Sequence, residues 1–437
     1  MVSRLEGTGT ESPAAVLVEY RIRGAQEPVA KLEFREPQSE GEAAGYLTYK
    51  RVKSPYELYM EEEGIPVFRG IGVRDTRDLP LGDWRRLGGR GCFLHLRGIE
   101  SLKGLYVVEV PAAGALNPER HMFDEFYLVI EGRGSTEVWR EGERRPHIFE
   151  WQPGTLFMAP INTWHRLVNA TSSPALVLAA NNAPPIMNIY NSRSFVFDNP
   201  FDFHERFDSS ADFFKAKTDV EAETVRGRAA VRSNVFPDIV NCELPLDNQR
   251  APGYRRIQPY FHGYPATAGT GGFIAEYPSG RYSKAHYHQS GAVIVCLKGQ
   301  GYTFNWPIDA GPRPWQKGKD DQVLKQEYVA GGLVAAAPGG GNWFHQHFSV
   351  SQEPMRTINY WGGPTPQGGA MGSDDGEEVR AWNIYGIDEG GMTIHYHQED
   401  PYVRRYYAER LSQIGAQIRM PESLFTGPSE VGTYHLH

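Results

Sequence analysis

SGRYSKAHYHQSGAVIVCLKGQGYTFNW, residues 279–306, is the stretch on which the reading of this chain turns. It places His286 and His288 one residue apart, then an apolar run, a Gly-x-Gly pair and a strand rich in aromatics. Residues i and i+2 of an extended strand share a face, so both imidazoles point the same way. RHMFDEFYLVIEGRGSTEVW, residues 120–139, repeats the order of histidine, apolar strand, Gly-x-Gly and aromatic strand ending in Trp. Each is followed by a second matching stretch, GTLFMAPINTWHRLVNATSSPALVL at 154–178 and GGLVAAAPGGGNWFHQHFSVSQEPMRTI at 331–358. Two such blocks in one chain predict an internal duplication.

Outward from these blocks the chain reads as mostly β. Gly (48) and Pro (31) punctuate short runs of β-branched and aromatic residues over 437 positions. VLVEYRIR (16–23) reads as a strand, and SPYELYMEEEG (54–64) as a helix capped by Ser54 and Glu57 and stopped by Gly64. SSADFFKAKTDVEAE (209–223) suggests a helix in a connecting segment, and DPYVRRYYAERLSQIG (400–415) an amphipathic helix packed on the outside. The expected organisation is an N-terminal arm (1–65), a first barrel (66–188), a connecting segment (189–250), a second barrel (251–368) and a C-terminal extension (369–437).

Charge and cysteine content narrow the function class. Lys and Arg total 45 against 53 Asp and Glu, a net charge of −8. Without basic runs, nucleic acid and anionic membranes are not the expected partners. No apolar run approaches the length that spans a bilayer, and the first 15 residues lack a signal-peptide core. Three scattered cysteines, Cys92, Cys242 and Cys296, fit neither a disulfide framework nor a thiolate zinc site, and a reducing cytoplasm is expected.

The four half-motifs, in this order, resemble the paired motifs of the cupins, small β-barrels that often hold one metal. Two copies make the chain resemble a bicupin over roughly 90–182 and 257–362. The resemblance implies an all-β fold of two jelly-roll barrels with a few flanking helices. In the second block Gly280, His286, His288, Gly299 and Gly301 match the first motif, but Ala292 stands where the motif has a glutamate. His165 lies nine residues before Pro174, and His345 nine before Pro354, so His345 is the expected third ligand and His347 the fallback. In the first block His121, Glu125 and His165 fit, while Glu119 occupies the first histidine's place. That set is read either as a second metal site or as a satisfied polar interior.

A three-histidine set without carboxylate resembles gentisate dioxygenase and related Fe(II) dioxygenases, and departs from decarboxylase-type cupins that use the glutamate. The resemblance therefore implies Fe(II), O2 and cleavage of a small aromatic or enolate substrate. Mn(II), Ni(II) or Zn(II) supporting a non-redox lyase, isomerase or hydrolase is the first alternative, and a non-catalytic small-molecule binder the second. Expected substrate contacts are Arg281, Tyr282, Lys284, Gln346, His347, Trp343 and Arg356. The two cations beside the ligand strand suit a carboxylate or phenolate. Tyr302, Trp306 and Trp343 are candidate aromatic walls. His395 and His397 are read as surface or interface histidines, His435 and His437 as tail residues. Self-association is expected, as bicupins commonly form homo-oligomers.

Overall fold

The computed structural model describes residues 16–20, 30–34, 51–222, 229–261, 272–288, 291–361, 371–372, 379–380 and 385–427. His435 and His437 lie outside them. Residues Met1–Lys53 form one unit, in which Val16–Tyr20 pairs antiparallel with Ala30–Phe34, and Ser54–His437 form the other.

In the larger unit the duplication is explicit in the strand order. One sheet of the first barrel runs Leu156–Ala159, Glu125–Glu131, Ala175–Asn181, Gly104–Val110. Its counterpart runs Leu333–Ala336, Ala292–Lys298, Met355–Trp361, Gly272–Tyr277. The facing sheets repeat as well. His147–Trp151, Gly134–Trp139, Trp164–Asn169 and Gly114–Ala115 match Leu324–Val329, Gln300–Pro307, Trp343–Ser349 and Ala285–His286. Thr393–Ile394 from the C-terminal extension adds one further strand to the second barrel.

The repeat extends beyond the two motif blocks. Val67–Gly70 pairs parallel with Gly89–Leu96, and Ala229–Arg232 pairs parallel with Arg255–Tyr260. Immediately afterwards each segment crosses to the other barrel. Gly72–Val73 pairs with Leu333–Ala336, and Val235–Phe236 with Leu156–Ala159. The segment 189–250 is thus more than a connector. Strands this short carry no alternation pattern, which is why the sequence does not reveal them. The helix expected at 209–223 is absent from the described residues: turns occupy 211–215 and a strand Val220–Ala222. Helices instead form at Ala183–Tyr190 and Arg193–Phe197.

Alternation along the strands sorts side chains into separate cores. One apolar cluster includes Leu94, Leu128 and Leu178 of the first barrel together with Val293, Val295 and Ile358 of the second, so the two large sheets pack face to face. Helix Pro55–Glu62 has the predicted capping box at Ser54 and Glu57. Its Tyr56, Tyr59 and Met60 join the first barrel's interior, so it belongs with that barrel rather than with the arm. Helix Pro401–Ser412, capped by Asp400, buries Val403, Tyr407 and Leu411. It lies against Tyr302, Phe304, Trp306 and Phe348, on the outer face of the second barrel's smaller sheet.

Candidate metal centres

His286, His288 and His345 offer ring nitrogens that all lie within 4.8 Å of one another. His286 reaches the site from the short strand Ala285–His286, which pairs directly with His345. His345 and Trp343 share a strand face, and Asn342 before them adopts a left-handed backbone, φ 54°. In the first barrel Asn162 does the same at φ 55°, three residues before His165. Asn is the residue after Gly that best tolerates this region. The same left-handed turn therefore launches the histidine strand in both barrels.

The ring orientations fix the chemistry. His286 Nδ1 bonds Lys284 O at 3.3 Å and His345 Nδ1 bonds Trp343 O at 3.2 Å. A carbonyl only accepts, so each Nδ1 carries the proton and each Nε2 presents a lone pair. The two Nε2 atoms face each other at 3.1 Å. Two cis ligands with metal–nitrogen bonds near ~2.1 Å stand ~3.0 Å apart, so this geometry fits a cation between them. Burial first, then the charge of Arg250 and the neighbouring histidines, pushes His286 well below its ordinary pKa. His345 is depressed mainly by burial and by His288 and His347. Both are therefore neutral donors.

His347 lies on the same face but outside that trio. Its Nδ1 bonds Thr303 Oγ1 at 2.8 Å, and Thr303 Oγ1 is 3.1 Å from Tyr328 Oη. Burial, then Arg250 and His288, pushes its pKa down to about 3. Lys284, depressed to about 8 by burial and then by Arg250, sits within cation–π range of Tyr396. Arg250 is the cation common to these shifts. The sequence reading missed it because it lies in the loop before the barrel, 36 residues from His286.

Several expected contacts are corrected. Gln346 alternates with His345 and faces the opposite side, where it donates to Ser283 O and to Glu399 Oε2. Tyr282 is also on that outer side, donating to Glu399 Oε1 at 2.5 Å and stacked on Phe348. Tyr302 and Trp306 belong to the same outer cluster, leaving Trp343 on the ligand face. Arg281 is turned to Pro252 O. Arg356 is held by Glu276 at 2.7 Å and by Cys242 O. His395 is buried on Thr393–His397, adjacent to Glu389 at 3.6 Å, and is not a surface residue; His397 is partly exposed.

The first barrel brings together Glu119, His121, Glu125 and His165 within 4.8 Å. Phe123 O and Thr163 O bond the Nδ1 atoms of His121 and His165, again turning Nε2 inward. Here, however, several of the interior polar groups also bond one another. Glu125 accepts from His121 at 3.2 Å, from Tyr127 at 2.5 Å and from Asn181 at 2.8 Å. Glu119 is bound by Arg86. Burial alone would raise Glu125 and lower His121, but their mutual hydrogen bond and charge outweigh it in both, so they stand as an ion pair.

The duplicated barrels with convergent histidines define a double-barrel protein with a ligand set in each half. Residues 106–181 match the cupin domain family and are therefore similar to a cupin domain, and the second barrel shares their strand order. No curated protein matches it. Among solved structures it is similar to a formate complex of Lactobacillus farciminis oxalate decarboxylase, at 10% identity, TM-score 0.41, covering 66% of this chain and 85% of that one. A deletion mutant of Bacillus subtilis oxalate decarboxylase matches at 10% identity and TM-score 0.41, over 78% and 87%. Among the described residues no helix is long and apolar enough to cross a membrane.

Proposed function

We propose that this chain is a bicupin and a metal-dependent oxygenase, with Fe(II) in its second barrel, acting on a small aromatic or enolate substrate. The observation that carries the proposal is the opposed pair of unprotonated Nε2 atoms of His286 and His345, 3.1 Å apart, beside His288. Three imidazoles without a carboxylate leave positions for a substrate, which suits a catalytic rather than a closed structural site. Bound Fe(II) would supply the redox chemistry between an organic anion and O2. The chain's own contribution is to hold three imidazole ligands, leave the divalent charge uncompensated and add Arg250 nearby. That field favours an anion.

The composition of the neighbouring strand supports the same assignment. Ala292 opens the strand Ala292–Lys298 where Glu125 opens Glu125–Glu131, and Ile294 stands where Tyr127 does. The polar plug of the first barrel is thus missing from the second. A second reading, a non-redox lyase, isomerase or hydrolase with Mn(II), Zn(II) or Ni(II), is favoured by the two carboxylates of the first barrel, because hard oxygen donors suit Mn(II). Homo-oligomer formation and residence in a reducing compartment belong to the proposal, the latter resting on three free thiols. Light scattering reads the first.

The test is metal analysis of protein purified without added metal, with oxygen uptake measured across catechols, hydroxybenzoates and enolates. Iron bound in the second barrel and substrate-dependent uptake, both lost in His286→Ala, are expected. Turnover that persists without O2 would favour the non-redox reading. Protein that holds no metal and turns over nothing would overturn both.

A further inference from the structure

Asn305 lies on the inward face of strand Gln300–Pro307, directly opposite His345. Side chains so paired across a ladder stand about 5 Å apart at Cβ. Its relative exposure is 0%, yet its Nδ2 has no hydrogen-bond partner. Its Oδ1 accepts from Ala337 N at 3.4 Å, which turns the amide's donor end away from that strand. A buried donor left unsatisfied is costly and calls for an explanation.

The duplication supplies an internal control. In the first barrel the residue opposite His165 is Val138, which brings no donor to the interior. There Glu125 meets its own partners from the chain. In the second barrel the carboxylate has become Ala292, and an unsatisfied donor has been added across from the ligand strand. Both differences make the second interior fit an acceptor that comes from outside the chain.

We infer that Asn305 is a substrate-contact residue of the second barrel, its Nδ2 donating to an oxygen of an anionic ligand held beside His286, His288 and His345. The inference rests on the reading of that site as a metal centre, and it names the ligand's chemistry: an oxyanion able to reach the metal and Asn305 together. An ordinary apolar or cationic ligand would leave Nδ2 as unsatisfied as before.

The experiment uses full-length protein reconstituted with Zn(II), titrated with 4-nitrocatechol and followed by the change in its absorbance on ionisation and binding. Asn305→Val copies the first barrel. Asn305→Asp keeps the acceptor for Ala337 N–H and removes the donor. Both are expected to retain Zn(II), with the dissociation constant raised about tenfold or more for Val, as for loss of a hydrogen bond to a charged group. Asp should weaken binding further through like-charge repulsion. Unchanged affinity in either folded variant, loss of Zn(II) from the Asp variant, or no binding to the metal-loaded wild type would overturn the inference. Oxygen uptake tests the other reading separately. Absent uptake with a weakened Asn305→Val would sink the oxygenase and leave this contact standing.

Discussion

At the scale of single residues, the second barrel turns on which of two histidines, both facing inward, completes the ligand set. His345 opposes His286 through Nε2, whereas His347 is engaged at Nδ1 by Thr303. His345→Ala should therefore lose the second-barrel metal. His347→Ala should retain it while changing substrate affinity, as outer-shell groups tune rather than create a site. Metal stoichiometry of the two folded variants checks this, and the reverse pattern would reassign the ligand. The choice was partly legible in the sequence, through the nine-residue spacing from each histidine to its proline. A second mark, Asn162 and Asn342 each three residues before a histidine, gains its meaning only once both show the same left-handed φ. Substrate contacts were less legible. Tyr282 and Gln346 sit next in sequence to inward residues, and alternation carries them to the opposite face.

At the scale of elements, the C-terminal extension is tied to the back of the ligand strand. Glu399, immediately before the Asp400 cap of helix Pro401–Ser412, accepts from Tyr282 and Gln346 inside an aromatic cluster. Burial dominates those two donors and pushes its pKa up to about 8. An acid that binds its proton more tightly when folded contributes most stability below its unfolded pKa, near 4.3. That contribution declines as pH rises toward 8, by on the order of 4 kcal/mol at most. Glu399→Gln mimics the protonated side chain, and a rotated Gln346 amide offers it an acceptor in Oε1, which has no partner. The variant should match wild type near pH 5 and exceed it near pH 8 in melting temperature. A difference that stays constant over that range would show that Glu399 is not protonated in the fold. The helix itself was readable from its amphipathic periodicity. Its docking to the ligand strand was not, because a glutamate facing an aromatic cluster reads as solvent-exposed.

At the scale of the whole molecule, the two barrels are coupled by exchanged strands and by one apolar cluster that both large sheets share. Damage confined to the first barrel should therefore be felt in the second. His121 is the sharpest place to apply it, since its removal leaves Glu125 buried among Tyr127 and Asn181 without its cation. Breaking a buried ion pair from one side costs about 3–5 kcal/mol. His121→Ala should unfold at markedly lower temperature, and His121→Ala with Glu125→Gln should recover part of the loss, because no charge is then stranded. The discriminating readout is release of the second-barrel metal against temperature, followed with a chromophoric chelator alongside near-UV circular dichroism. Release should move down with the first barrel's unfolding in His121→Ala and move back in the double variant, in a single transition each time. Metal retained by the second barrel after the first has melted would show that each barrel folds alone, and that the crossed strands Gly72–Val73 and Val235–Phe236 decorate two independent domains.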